Sequence, residues 1–209
     1  MQVYTQPRRE EVLQVATRLF YDHGFNGVGI RMIADTVGIQ PSSLYYHFSS
    51  KEEILFQIAL RATKDFIDSR APILRGRGDR VESLKSIVRH HVTYFSDHHL
   101  AQHVVERESR ELSKEHRAEI RQRQRAYVDE LISFVAQGVA DGIFDVPNPA
   151  IATRASFDML NHFSRWFEPR PGMGISELAD LYADIIVNGL LGAKTTTTKR
   201  APSSVAITC

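Results

Sequence analysis

Ser42, Ser43, Tyr45, Tyr46 and His47 fall within six consecutive positions. Their hydroxyls, phenols and imidazole are groups that hydrogen-bond phosphate oxygens and reach base edges in a DNA major groove. Arg31 and Lys51 add point charges on either side. A second group with chemical potential is the histidine set His90, His91, His98, His99 and His103, in which His99 and His103 are four apart, the spacing that turns two ring nitrogens to one helical face. It has no cysteine companion and no H-E-x-x-H, so no metal is expected. Nor does any Ser/His/Asp set, C-x-x-C or glycine-rich phosphate loop occur at usable spacing; no catalytic residue, no cofactor and no enzyme activity is expected.

The elements that must hold the first group are legible in the stretch Ile30 to Phe48. Ile30, Ile33 and Val37 recur at i, i+3 and i+7, one face of a helix. Ala34 leaves room for a close neighbour, Gly38 supplies the freedom for a sharp turn, and Ile39 plugs the corner. Pro41 suits the first turn of the next helix, where its missing N–H costs nothing. Leu44 and Phe48, four apart, face inward, which turns the serines, tyrosines and His47 outward. Two short helices crossing at a glycine are a helix-turn-helix, and the expected partner is DNA.

With those residues placed, the stretch from Arg8 to Leu55 resembles the TetR/AcrR transcriptional regulators. The resemblance rests on Phe20, Gly24 and Phe25 closing a first helix, then R-x-I-A, V-G-I, and the L-Y-x-H-F-x-S-K-E-E run from Leu44 to Glu53. It implies an all-α protein of about nine helices. A three-helix DNA-binding domain over residues 6–66, with its helix-turn-helix at about 29–48, would precede a larger helical ligand-binding and dimerisation domain over 67–193. Carried over by position, the family's DNA contacts fall on Arg31, Gln40, Pro41, Ser42, Ser43, Tyr45, Tyr46, His47 and Lys51. Lys51 and the tyrosine and histidine positions would hold phosphate, and the start of the third helix would read bases. One departure is that Val28 and Gly29 stand where the family usually opens its second helix with Ser or Thr. Glycine is an acceptable N-cap but has no hydroxyl to give to phosphate.

Composition agrees with a regulator and excludes some alternatives. The chain has 209 residues, 43% of them hydrophobic, and a net charge of only +1, enough to fill cores but too little charge for a sequence-blind DNA coat. The sole cysteine is Cys209, so no disulfide framework exists. With no signal-peptide pattern at the N-terminus and no apolar run of membrane-spanning length, the expected location is the cytoplasm.

Helical periodicity runs through the remainder. Ser49 or Ser50 caps a helix beginning at Lys51 and reaching towards Pro72; Asp79 to Asp97, Leu100 to Leu112 and Lys114 to Asp141 follow, the last closed by Gly142 with Phe144 folding back. Asn148 and Pro149 open a helix that is apolar on too much of its circumference to face water, and Ser176 begins another. These last two helices are expected to meet their symmetry mates in a homodimer. Residues 194–209 lack periodicity and are expected to be a disordered tail.

The C-terminal part resembles the branch of the family that senses acyl-CoA thioesters in lipid or steroid catabolism, on the D-H-H-x-A-Q corner at Asp97 to Gln102, E-x-x-x-L at Glu108 to Leu112, and R-W-F-x-P. Tyr127, Phe134, Phe157, Asn161 and Trp166 are the expected pocket, with Arg117, Arg121, Arg123 and Arg125 drawing an anionic head group. The alternative for these residues is plain core and a solvated helix face. The function expected is a dimeric, ligand-released repressor on a palindromic operator. The rival readings are a ligand-independent activator or architectural protein and, further off, a small-molecule enzyme.

Overall fold

The computed structural model describes residues 5–76 and 78–193; the expected tail at 194–209 lies outside them. Ten α-helices follow one another: α1 (Thr5–Gly27), α2 (Ile30–Val37), α3 (Pro41–His47), α4 (Lys51–Asp68), α5 (Ala71–Arg75), α6 (Arg80–Asp97), α7 (His99–Glu108), α8 (Lys114–Ala140), α9 (Pro149–His162) and α10 (Ile175–Asp184), which runs on as a π-helical turn, Ile185–Leu190. Among the described residues there is no strand, only an isolated bridge between Arg170 and Met173.

Local chemistry explains most boundaries. Ser50 accepts the Glu53 N–H at 3.0 Å to open α4, and Asp79, Ser113 and Asn148 do the same for α6, α8 and α9. The helix expected to run from Lys51 towards Pro72 stops at Asp68, and a separate single turn, α5, carries Pro72. Proline has no N–H to continue the ladder and its ring crowds the carbonyl four residues back, so the chain turns before it. At the end of α8, Gly142 adopts φ +71°, and Phe144 folds back so closely that a Cβ on Gly138 would sit 2.4 Å from its ring.

Two apolar cores result. The N-terminal one is built on Val12, Ala16, Phe20, Ile33, Ala34, Leu44, Phe48, Ile54 and Leu55, and it also takes in Val104, Leu112 and Ile120 from α7, the following turn and α8. The larger one joins α4 to α10 around Phe66, Val88, Leu131, Phe163 and Ile186. Between α6 and α10, Arg89 meets Asp180 at 2.5 Å and Lys85 meets Asp184 at 3.4 Å. Ile151, Met159, Trp166, Leu181, Ile185 and Leu190 are left exposed on the last two helical segments and their connection, an apolar surface that water disfavours.

Candidate DNA-binding face and regulatory cavity

The turn between α2 and α3 is made as the residues require. Gly38 lies at φ 74°, ψ 37°, and its N–H and that of Ile39 return to the last carbonyls of α2. Leu44 and Phe48 are sealed in the core, with the Arg9 guanidinium 5.0 Å over the Phe48 ring. This fixes the rotation of α3. Tyr45 is 56% and Tyr46 81% exposed, the Tyr46 and His47 rings meeting edge-on at 5.3 Å. Arg31, Gln40, Ser42 and Ser43 are exposed too. Among the described residues, none of the side chains of Arg31, Gln40, Ser42, Ser43, Tyr45, Tyr46 and His47 takes part in a hydrogen bond within the protein. The outward face of α3 is thus a row of donors without acceptors among the described residues.

Lys51 departs from expectation. Its ammonium donates to the carbonyls of Phe25 and Val28, both at 2.8 Å, and lies 4.1 Å over the Phe25 ring. Two of its three donors are therefore committed inside the domain, clamping the start of α4 to the end of α1, which leaves one donor where a wholly uncommitted charge was expected. The hydroxyl missing at Gly29 leaves the α2 N-cap without a side-chain bond, as glycine requires.

The N-terminal helices are tied to the regulatory ones by named contacts. Arg107 on α7 donates to the carbonyls of Phe20 and Tyr21. Glu52, in the first turn of α4, accepts the Ser113 N–H at 2.8 Å and the His116 Nδ1–H at 2.9 Å, while the His116 ring stacks on Phe56 at 3.7 Å. Arg117 donates to the carbonyls of Arg110 and Leu112, and its buried Nε has no partner.

Above this junction opens a cavity of about 530 Å³. Ala62, Thr63 and Phe66 of α4 form one wall and His99, Gln102 and His103 of α7 another; Arg117, Arg121, Gln124 and Tyr127 of α8 face Phe157 and Asn161 of α9. Three of the five expected pocket residues, Tyr127, Phe157 and Asn161, are brought together here. Phe134 and Trp166 are not. Phe134 is half-buried against the larger core, away from the cavity, with the Arg80 guanidinium 4.6 Å over its ring. Trp166 is 64% exposed because it lies seven residues beyond the exposed Met159, on the outward face of α9 and the 3-10 turn Phe163–Arg165 that extends it, while Thr153, Ser156, Leu160 and Phe163 mark the inward one.

Of the four arginines expected to attract an anion, Arg117 and Arg121 reach the cavity, Arg123 pairs with Glu119 at 3.0 Å, and Arg125 lies on the outer face of α8 beside Arg121. Phe66, Thr63 and Gln102 belong to the lining as well; only the convergence of α4 and α7 in space identifies them. The histidines do not converge on one point: His90 meets Ser69 Oγ at 2.9 Å, His98 stacks on Tyr94 at 4.0 Å, and His99 and His103 both set their edges against Tyr21.

Comparison with known proteins follows the same division. Residues 12–58 match the family described as bacterial regulatory proteins, tetR family, and residues 77–190 match the tetracyclin repressor-like, C-terminal domain. Along 88% of the chain and 91% of the relative, the sequence is 28% identical to the HTH-type transcriptional repressor KstR2 of Rhodococcus jostii. The TetR family regulator PfmR of Thermus thermophilus superposes with a TM-score of 0.78 at 31% identity, over 86% of this chain and 98% of that one. AibR, solved in complex with isovaleryl coenzyme A and operator DNA, shares the fold with a TM-score of 0.78 at 24% identity over 86% and 98% of the two chains.

Proposed function

Since the chain belongs to the TetR family of bacterial regulatory proteins, we propose that it works as a homodimeric repressor, binding a palindromic operator and leaving it when a hydrophobic anion, an acyl-CoA thioester foremost, fills the regulatory cavity. The protein is a DNA-binding transcriptional regulator and not an enzyme. The observation that carries the reading is the face of α3, where Ser42, Ser43, Tyr45, Tyr46 and His47 are directed outward with no bonding commitments of their own. Bases are assigned to Gln40, Pro41, Ser42 and Ser43, and phosphates to Arg31, Tyr45, Tyr46 and His47.

The apolar surface left by Ile151, Met159, Leu181 and Ile185 supports pairing of the last two helices with their symmetry mates. Such a dimer presents two α3 helices about 34 Å apart, one turn of duplex. We assign the DNA-binding unit to about residues 6–66, the regulatory unit to 67–193, and the site of action to the cytoplasm, a location in keeping with the lack of any described helix long and apolar enough to cross a membrane.

Effector coupling has a physical route. An anion at Arg117 and Arg121 competes with the carbonyls that Arg117 now holds, and those carbonyls adjoin Ser113, whose N–H is bonded to Glu52 on α4. Movement there displaces α4 and with it the seat of α3. The usual size of such coupling, about 1 to 3 kcal/mol, corresponds to roughly 5- to 150-fold in operator affinity. Fluorescence anisotropy of a labelled operator titrated with octanoyl-CoA tests the reading: release is expected, and operator affinity indifferent to acyl-CoAs of every chain length would count for the ligand-independent alternative.

A further inference from the structure

Behind the cavity wall, the fold buries a cation with no anion to match it. Arg70, the N-cap of α5, is completely enclosed. One of its nitrogens donates to the Phe66 carbonyl, its guanidinium lies 3.3 Å over the Phe66 ring and 5.5 Å from that of Tyr94, and Nε and Nη2 meet no acceptor. Burial lowers its pKa to about 10, which leaves it charged at neutral pH, and the groups that oppose this are tyrosines alone, Tyr127 and Tyr94. Two neighbours are also unpartnered: His91 Nε2 and Tyr127 Oη. An uncompensated charge and several unmet donors in one core are costly to keep for packing alone.

Two observations connect this cluster to the cavity. Tyr127 and Asn161 line it directly, and Asn161 also acts on His91. Phe66 is shared, presenting one side to the cavity and carrying Arg70 on its ring. The end of the chamber lined by Tyr127 and Asn161 therefore adjoins a buried positive charge behind Phe66, with the unpartnered Tyr127 hydroxyl enclosed just beneath the lining.

We propose that this inner end, Tyr127 and Asn161 backed by Arg70, receives a carboxylate at the far terminus of the effector, so that the ligand is an acyl thioester anionic at both ends. The assignment rests on the acyl-CoA reading above and narrows it from hydrophobic acyl groups to ω-carboxylated ones. A carboxylate there accepts from the Asn161 amide and, once the enclosed phenol turns to meet it, from Tyr127, and it supplies the counter-charge the guanidinium lacks.

Isothermal titration of the full-length protein with octanoyl-CoA and with suberoyl-CoA, equal in length and differing in the terminal carboxylate, tests this. The wild-type chain is expected to favour suberoyl-CoA by about tenfold or more. The ratio of the two affinities should fall close to one in Tyr127→Phe, which keeps the ring and removes only the hydroxyl, and in Arg70→Met. Equal affinities in the wild type, or a preference that survives both substitutions, would overturn the inner carboxylate site while leaving the effector reading standing. Failure of both thioesters to bind the wild type would overturn the effector reading and this inference together.

Discussion

Tyr46 leaves 81% of its surface in solvent while Leu44, two positions earlier, is fully enclosed; that contrast within one turn of helix is the residue-scale basis for assigning α3 to DNA. Phenol and imidazole there stabilise nothing internal, so Tyr46→Phe combined with His47→Ala should leave the melting temperature and dimer intact. Operator binding should weaken by at least about 2 kcal/mol, roughly thirtyfold, since each protomer loses two contacts; unchanged gel-shift affinity would remove these residues from the site. Lys51 predicts the reverse pattern. Lys51→Met strips two carbonyls of a charged donor, and chemical denaturation should show a stability loss of about 2 kcal/mol. The α3 face was readable from sequence because Leu44, Phe48 and Gly38 dictate its rotation. The role of Lys51 was not, because its acceptors are backbone carbonyls 26 and 23 residues away, which no side-chain pattern records. Arg70 was equally hidden, its environment being made by α4, α6 and α8 together.

Between elements, the decisive contact is the one from α4 to α8 through Glu52, Ser113 and His116. Glu52→Ala should leave operator affinity in the absence of effector within a few-fold and reduce the shift that octanoyl-CoA produces, read by anisotropy; an unaltered shift would put the coupling elsewhere. A second expectation concerns the packing of α6. Burial foremost, with the charge of Arg70 next, holds His91 well below its ordinary value of 6.5. The folded chain therefore keeps His91 neutral where the unfolded chain would protonate it. Stability contributed by the neutral ring is complete above 6.5 and is lost as pH falls from there towards the depressed folded value. Melting curves should drop on acidification below 6.5, less steeply in His91→Gln. Helix order was legible here, and so were the caps at Ser50, one of two serines offered, and Asn148, whereas the capping bonds of Asp79 and Ser113 emerge only from the structure. The π-helical turn after Asp184 and the 3-10 turn after His162 were not, because a period of 3.6 carries no warning of a local change in winding; Trp166 was misplaced because the excess of apolar residues on this helix hid which face turns inward.

For the whole molecule, the account requires two copies acting as one. Leu181 and Ile185 are about half exposed on the surface assigned to pairing, so Ile185→Glu should shift sedimentation towards monomer and abolish operator retention together, since a single α3 spans one half-site. The apolar excess of the last two helices was evident in the sequence, but which of their faces stays open depended on how α6 and α8 cover the others. The most direct measurement is selection of bound duplexes from a random-sequence library by the purified full-length protein. The account predicts enrichment of a twofold-symmetric site whose half-sites lie about one helical turn apart, lost in Tyr46→Phe/His47→Ala. Recovery of no enriched sequence, or of a single asymmetric half-site bound by monomer, would contradict it.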